Sequence, residues 1–503
     1  MSKSYLRGAS ALAALLLSTS AQAQVTPEQV WQNWKNLGMS SGQSITAATE
    51  NRSGDTLTVS GVSVSSLFEG GSVTATIDTV AFRDAGNGTV EVTMSPEYPV
   101  AIDAKGDDAK EAKINLLVKQ PGLKLTAAGS ATETRYDFTA PSVGMSVINM
   151  TVDGKPFDLK LDGGLIGLVG NYIVGTGAKT TVDSSLKADS GSISMAVNDP
   201  DPANGGTMKL TGSVANLAGT SSSALVDSET MNDMAKALAA GFSTDGAMTY
   251  GASSFSFDFA DATTKETVMA SGELGGGSLN IALDANRMQY GGGAKAVSLR
   301  ASGSEIPFPE LSMAYADSAF NFLIPVSKSD TPQDFAILTS ITDLTMSNDI
   351  WGIFDPTGEL PRDPATLVID TKGKANWKMD IFSPEAANME NVPGELHALD
   401  VTDLTLRAVG AAITGAGAFT FDNTDLTTFD GVPAPTGSID LKIVGANGLL
   451  DRLIKMGLLP EDQAMGARMM LGLFARPGEG EDTLTSKLEF KDKGFFANGQ
   501  RLQ

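Results

Sequence analysis

The chain predicts a mainly β fold with a few helices. Large antiparallel sheets are expected, arranged as a meander, a sandwich or a curved trough, in two related halves. Three observations predict this. Apolar residues recur at every second position through most of the chain. Gly, Asn and Asp punctuate those runs. The composition is rich in Gly, with 54 of 503 residues, and only 19% of residues are charged, below the ~25% of an average domain. Period-two alternation marks half-buried strands, and Gly/Asn punctuation marks hairpins between antiparallel neighbours.

The first 23 residues are read separately. Lys3 and Arg7 are followed by an apolar run over 9–17, broken by Ser10, and then by Ala21-Gln22-Ala23. Basic, greasy, then small-x-small is the order of a secretory signal peptide. Cleavage is expected after Ala23, with Gln24 as the mature start and the periplasm as the destination. The greasy run is shorter than the ~20 residues a membrane-spanning helix needs. The expected division is 1–23 signal peptide, 24–305 N-terminal β-rich half, and 306–503 C-terminal β-rich half.

Thr26, Pro27 and Gln29 start a helix as N-cap, first-turn proline and capping-box partner. Val30, Trp34 and Leu37 follow at helical spacing with Trp31 beside them, and Gly38 is the expected stop. From Asp55 the period becomes two. Leu57 and Val59 alternate with Thr56 and Thr58; Gly61 breaks the phase, and Val62 and Val64 resume it. Alternation continues over 73–82, the turn Gly86-Asn87-Gly88, and 90–94. Further strands are expected over 114–118, 123–127, 136–139, 157–161, 192–197 and 208–214. A helix is expected over 228–242, capped by Asp227 or Ser228, with Met231, Met234, Leu238 and Phe242 on one stripe.

Strands resume over 247–260, 266–272, 278–282 and 296–301. The boundary between halves is expected near Gly291-Gly292-Gly293 or Ile306-Pro307-Phe308-Pro309. The last third predicts strands at 311–314, 320–324 and 341–346, a short helix over 347–354 and a Pro-rich connector to Pro364. Strands follow at 366–370, 375–381, 399–406, 416–421 and 438–444. Two helices over 447–456 and 461–474 suggest an αα-hairpin, with Leu449, Leu450, Leu453 and Ile454 facing Met465, Met469, Met470 and Leu473. A hairpin over 484–502 closes the chain.

Composition narrows the chemistry. There is no cysteine, hence no disulfide, thiolate metal site or cysteine nucleophile. A net charge of −23 argues against nucleic acid and anionic membrane surfaces as partners. No segment suits a transmembrane helix; the best apolar stretches, 165–174 and 408–419, are short and interrupted by glycine. An outer-membrane barrel is the competing architecture, disfavoured by a scarcity of long outward apolar faces.

No catalytic motif emerges. The single histidine, His397, has no G-x-S-x-G partner. Ser184-Ser185-Leu186-Lys187 matches a bare S-x-x-K in a β context, without companion motifs. Gly175-Thr176-Gly177-Ala178-Lys179-Thr180 lacks phosphate-loop spacing and reads as a turn. Asp199, Asp201 and Asn204 form an acidic loop without the full calcium-loop ligand set, and Asp422-Asn423-Thr424-Asp425 is a weaker patch. No metal, cofactor or catalytic residue is assigned. The favoured reading is a non-enzymatic periplasmic protein with a binding or scaffolding role, its partner a lipid or an envelope protein. Met465, Met469 and Met470 are the expected apolar ligand face, since methionine suits adaptable apolar surfaces. A carboxylate- or metal-dependent envelope hydrolase and a purely structural protein are the alternatives.

Trp31 and Trp34 on the first helix, Ile350-Trp351-Gly352-Ile353-Phe354-Asp355-Pro356, Leu360-Pro361-Arg362-Asp363-Pro364-Ala365 and Gly494-Phe495-Phe496-Ala497-Asn498-Gly499 carry a resemblance. Together the chain resembles a family of uncharacterised Gram-negative envelope proteins, domain of unknown function 2125, over nearly the whole mature chain. The resemblance implies export but no activity, so no site residues follow from it. Trp351 and Phe354 are expected to anchor the Pro-rich connector, with Arg362 paired to Asp355 or Asp363.

Overall fold

A computed structural model describes residues 24–106, 110–199, 205–227, 229–389 and 393–503. The expected cleavage residues Ala21 and Ala23, the cap Ser228, and Asp201 and Asn204 of the acidic loop lie outside this set. Val25, beside the expected mature start, is buried, and its N–H donates to the Gly129 carbonyl at 3.2 Å.

Helix α1 (Pro27–Ser40) starts with the expected capping box between Thr26 and Gln29, but it runs past Gly38. Gly38 is buried where a Cβ would meet Ile45 Cδ1 at 2.8 Å. Strands β1 (Gln43–Thr46) and β2 (Thr49–Ser53) lie end to end along β3 (Thr56–Phe68), which pairs with β4 (Gly71–Asp84). Four short strands follow: β5 (Thr89–Met94), β6 (Glu97–Lys105), β7 (Glu111–Lys119) and β8 (Lys124–Gly129). Four long ones come next: β9 (Glu133–Val152), β10 (Lys155–Thr176), β11 (Thr180–Asp199) and β12 (Gly206–Leu225). The helix expected over 228–242 is a 3₁₀ turn at Thr230–Asn232 followed by a short α2 (Met234–Ala239), whose cap is Asp233.

The chain then returns to short strands, β13 (Ser243–Tyr250), β14 (Ser253–Asp261), β15 (Thr267–Leu274) and β16 (Gly276–Leu283). Beyond them run β17 (Arg287–Gly303), β18 (Leu311–Pro325) and β19 (Gln333–Met346). Helix α3 (Asn348–Phe354), β20 (Ala365–Trp377), α4 (Pro384–Ala387), β21 (Gly394–Ala408), β22 (Ala411–Asp422) and β23 (Ala434–Val444) follow. The end of the chain holds α5 (Ala446–Lys455), α6 (Glu461–Phe474), β24 (Arg476–Pro477), β25 (Thr483–Lys491), β26 (Gly494–Ala497) and β27 (Gln500–Arg501).

All 27 strands of the described residues join one sheet, and every strand pairing in it is antiparallel. Among the described residues β2 pairs only with β3 and β27 only with β26, so the sheet is open. Gly291-Gly292-Gly293 is the interior of β17, not a linker. Those glycines admit close neighbours: a Cβ on Gly292 would meet Leu279 Cδ2 at 2.8 Å, and one on Gly293 the Ser318 carbonyl oxygen at 2.2 Å. The chain passes from β17 to β18 without leaving the sheet.

One topological unit occurs twice. β4 pairs with β5 along one part of its length and β6 along another; β5 then pairs with β8, β6 with β7, and both β7 and β8 with β9. β12 meets β13 and β14 in the same way, β13 pairs with β16, β14 with β15, and both β15 and β16 pair with β17. The duplication is in pairing, with no shared residue pattern.

A crease runs across the strands. Residues in the left-handed region mark it: Gly61 (φ 62°) in β3, Gly167 (φ 67°) in β10, Asn216 (φ 53°) in β12, Ala296 (φ 49°) in β17 and Asp343 (φ 55°) in β19. The breaks between β5 and β6, β7 and β8, β13 and β14, and β15 and β16 fall on the same line. A straight strand alternates faces with period two. Inserting one non-β residue restores the same face after three positions rather than two. Val59 and Val62 flank Gly61, and both are buried in one core with Val30, Trp31, Val80 and Phe82.

Candidate ligand-binding face

Directly opposed residues of antiparallel neighbours point to the same side of a sheet. Following those partners strand by strand therefore traces a single face. Starting at Leu57, the file runs Phe82, Val92, Leu125, Phe138 and Gly170. It continues through Leu186, Gly219, Met248, Leu279, Gly292 and Phe320. It ends with Thr339, Ile369, Leu404, Gly415, Leu441 and Ser486. No position in the file is charged, from the first third of the chain to its last hairpin.

A second file lies across the crease. It runs Tyr98, Val118, Met145, Gly163 and Ile193, then Gly212, Phe255, Gly272, Leu299, Met313 and Met346. It too carries no charge. The two files share a face, because Phe138 and Leu168 on one side pack in one cluster with Val143 and Leu165 on the other. Ion pairs occupy the opposite side: Arg83 with Glu91, Lys113 with Asp103, and Lys374 with Asp334.

Where glycine stands beside a large side chain in these files, the reason is steric. A Cβ on Gly170 would meet Phe138 Cζ at 2.5 Å, one on Gly272 would meet Phe255 Cε1 at 2.3 Å, and one on Gly415 would meet Leu441 Cδ2 at 2.5 Å. The large group lies over its bare neighbour, leaving an apolar floor. Much of that floor meets solvent: Ile193 is 44% exposed, Ile281 49% and Tyr290 51%. Continuous apolar exposure on this scale is uncommon on monomeric soluble proteins and marks interaction sites. The face is hollowed into a cleft of about 650 Å³ lined by Val118, Val143, Met145, Leu165, Ile193 and Val214, within the size range of ligand pockets.

Helices stand at both ends of this face. At the N-terminal end α1 seats Trp31 and Trp34 on Phe82, with ring centroids 5.9 and 5.2 Å apart. Beside them Tyr136 and Tyr172 stack at 4.4 Å. Burial pushes the Tyr136 hydroxyl up to about 12, and burial, then the neighbouring Tyr136, raises Tyr172 also. Both phenols are neutral groups of a packed core. At the other end α5 and α6 lie over β22, β23 and β25 and line with them a second, open cleft of about 460 Å³.

The predicted methionines separate. Met470 lines the cleft under α6. Met465 and Met469 are 71% and 73% exposed, so they do not pack against α5 as the helical pattern suggested. The side of α6 turned inward carries Ala464, Ala467, Leu471 and Phe474; the sheet beneath, not α5 alone, decides which stripe is covered. The residues that line the apolar face were not named from the sequence, because only strand register brings positions from different strands into one file.

The other motifs are structural. His397 Nε2 lies 2.7 Å from Asn376 Oδ1 and 3.6 Å from Glu395 Oε2. Ser184 and Lys187 sit on strand β11, and Ser184 Oγ contacts Ser221 Oγ at 2.8 Å. The segment 175–180 is the β10–β11 turn. The Lys493 ammonium, 2.8 Å from Asp425, and the Thr428 hydroxyl and N–H hold the Asp425 carboxyl well below the usual carboxylate range. Among the described residues no three His, Cys, Asp or Glu side chains gather as metal ligands, and no helix is long and apolar enough to cross a membrane.

The connector differs in two details. Trp351 is buried, as expected, while Phe354 is 41% exposed. Arg362 donates to Asn348 Oδ1 and lies over the Trp351 ring at 5.7 Å, rather than bridging to Asp355 or Asp363. The Asp355 carboxylate instead accepts from the N–H groups of Glu359 (2.9 Å) and Leu360 (3.0 Å), with the Arg362 charge acting on it only at longer range.

No curated protein and no solved structure matches the chain. A family model does, over residues 240–499. That span holds the Trp351 segment, the Pro-rich connector and the Gly494–Gly499 ending, and leaves out the Trp31/Trp34 helix that the resemblance had included. The chain belongs to the family described as uncharacterized protein conserved in bacteria (DUF2125).

Proposed function

We propose that the protein is exported to the periplasm and binds an apolar ligand, acyl chains being the class that fits, without catalysing a reaction. The observation that carries this reading is the uncharged file from Leu57 to Ser486. A long, half-exposed apolar floor matches a long, unbranched, apolar occupant. Pocket-sized hollows on that floor offer apolar contact and few polar groups. The basic leader over residues 1–7 and the small-residue site at Ala21 and Ala23 support export.

The test is lipid extraction and mass spectrometry of the mature protein purified from its native compartment without detergent. Co-purifying acyl lipids, lost when Ile193 and Phe255 are replaced by Asp, are the expected result. A protein free of lipid that also fails to take up a fatty acid in solution overturns the reading.

A further inference from the structure

The cleft beneath α5 and α6 is distinct from the central one. It is bounded below by β22, β23 and β25 and above by both helices, and β15 to β21 separate it from the central cleft along the sheet. Its floor includes Leu441 and Ser486, the last positions of the uncharged file. Its roof includes Leu450 and Met470.

The only hydroxyl among the lining side chains is that of Ser486, and it already donates to the Phe474 carbonyl. No lining side chain is left to recognise a polar head. The helices are tied at their roots by hydrogen bonds. Asp482 accepts from Asn447 N (3.2 Å) and Gly448 N (2.8 Å) at the start of α5, and Asn498 Nδ2 donates to Phe474 O (2.9 Å) at the end of α6. The roof is thus held in place without filling the space beneath it. A space this size, walled by apolar side chains and lacking a free polar group, suits a single apolar chain and excludes sugars, nucleotides and peptides, whose polar groups would go unpaired.

We propose that this cleft is a second acyl-chain site, roofed by the α5–α6 hairpin and separate from the central cleft. The proposal rests on the reading of the sheet as an apolar-ligand face, and its test distinguishes the two. The probe is cis-parinaric acid, titrated into the full mature protein. Ala467→Leu narrows the roofed cleft, and Gly163→Leu fills the central one, where a Cβ has room at 3.5 Å from Ser192 O. The expected result is that each variant loses one class of bound probe and keeps the other. Loss with Gly163→Leu alone overturns the roofed site and leaves the central reading standing. No binding by the unaltered protein overturns both. A second measurement does not depend on either filling variant. Met470→Trp places an energy donor in the cleft, and Met465→Trp places one outside it. Stronger transfer to bound probe from Met470→Trp is expected; equal transfer from the two overturns the proposal.

Discussion

Leu165 and Leu168 stand three residues apart in β10, yet both pack in one cluster with Ala140 and Ala188, because Gly167 between them is left-handed (φ 67°). In an unbroken strand they would point to opposite sides. The crease therefore keeps one side of the sheet apolar along the strand's length.

Gly167→Ala is accordingly expected to destabilise the fold. The left-handed conformation costs an L-residue about 1–2 kcal/mol, and the added Cβ would meet Asp189 Oδ2 at 2.0 Å. Chemical denaturation followed by circular dichroism reads the difference. A variant as stable as the parent would show that the crease does not depend on glycine there.

Ala296 is the opposite case. It holds φ 49° on the same line without being glycine. Ala296→Gly removes the strain of a left-handed alanine, which outweighs the extra chain entropy glycine brings to the unfolded state. A gain of about 1 kcal/mol is expected, visible as a raised melting temperature. A lowered one contradicts the strain.

Packing of large groups over glycine gives a third expectation. At Gly272 a Cβ would meet Phe255 at 2.3 Å and Leu299 at 2.8 Å. Gly272→Val forces both aside, and overpacking of this kind costs about 1–3 kcal/mol. Gly163→Val, where the nearest atom is 3.5 Å away, should be tolerated. Equal losses at the two sites in urea titrations would mean that the glycines serve flexibility rather than side-chain accommodation.

Asp482 supplies from a neighbouring loop the cap that Gly445, at the start of α5, cannot. Burial pushes its carboxyl up, but the Gly448 N–H and the Asn447 side chain and N–H outweigh burial and hold it below its ordinary value. A lowered folded-state value means the unfolded chain takes up the proton first. Stability from this group is present above about pH 3.9 and declines as pH falls through the lower folded-state value. Asp482→Asn should be less stable than the parent at neutral pH, by about 1 kcal/mol as for other lost caps, with the gap narrowing in acid. A gap unchanged between neutral pH and acid would remove the charge from the explanation.

Much of this was legible in order of residues. The capping box at Thr26 and Gln29, the hairpin turn at Gly86–Gly88, α3, α5, α6 and most strands follow from local pattern, because helix ends and hairpins are set by residues a few positions apart. The phase break at Gly61 was visible too, as one skipped beat between Val59 and Val62. What stayed hidden was its meaning: Gly61, Gly167, Asn216, Ala296 and Asp343 are far apart in sequence and fall on one line only after the strands pair. The expected packing of Met465 and Met469 against α5 failed for a related reason. Helical periodicity names a stripe, but only the sheet beneath α6 decides whether that stripe or its neighbour is covered.

Alternation and turn and cap chemistry thus determined by themselves that the chain is an antiparallel β protein with capped helices, since these depend on local sterics and on residue type. The uncharged face, the crease and the clefts were decided by register. Register brings residues hundreds of positions apart onto one side of one sheet, and no local preference specifies it.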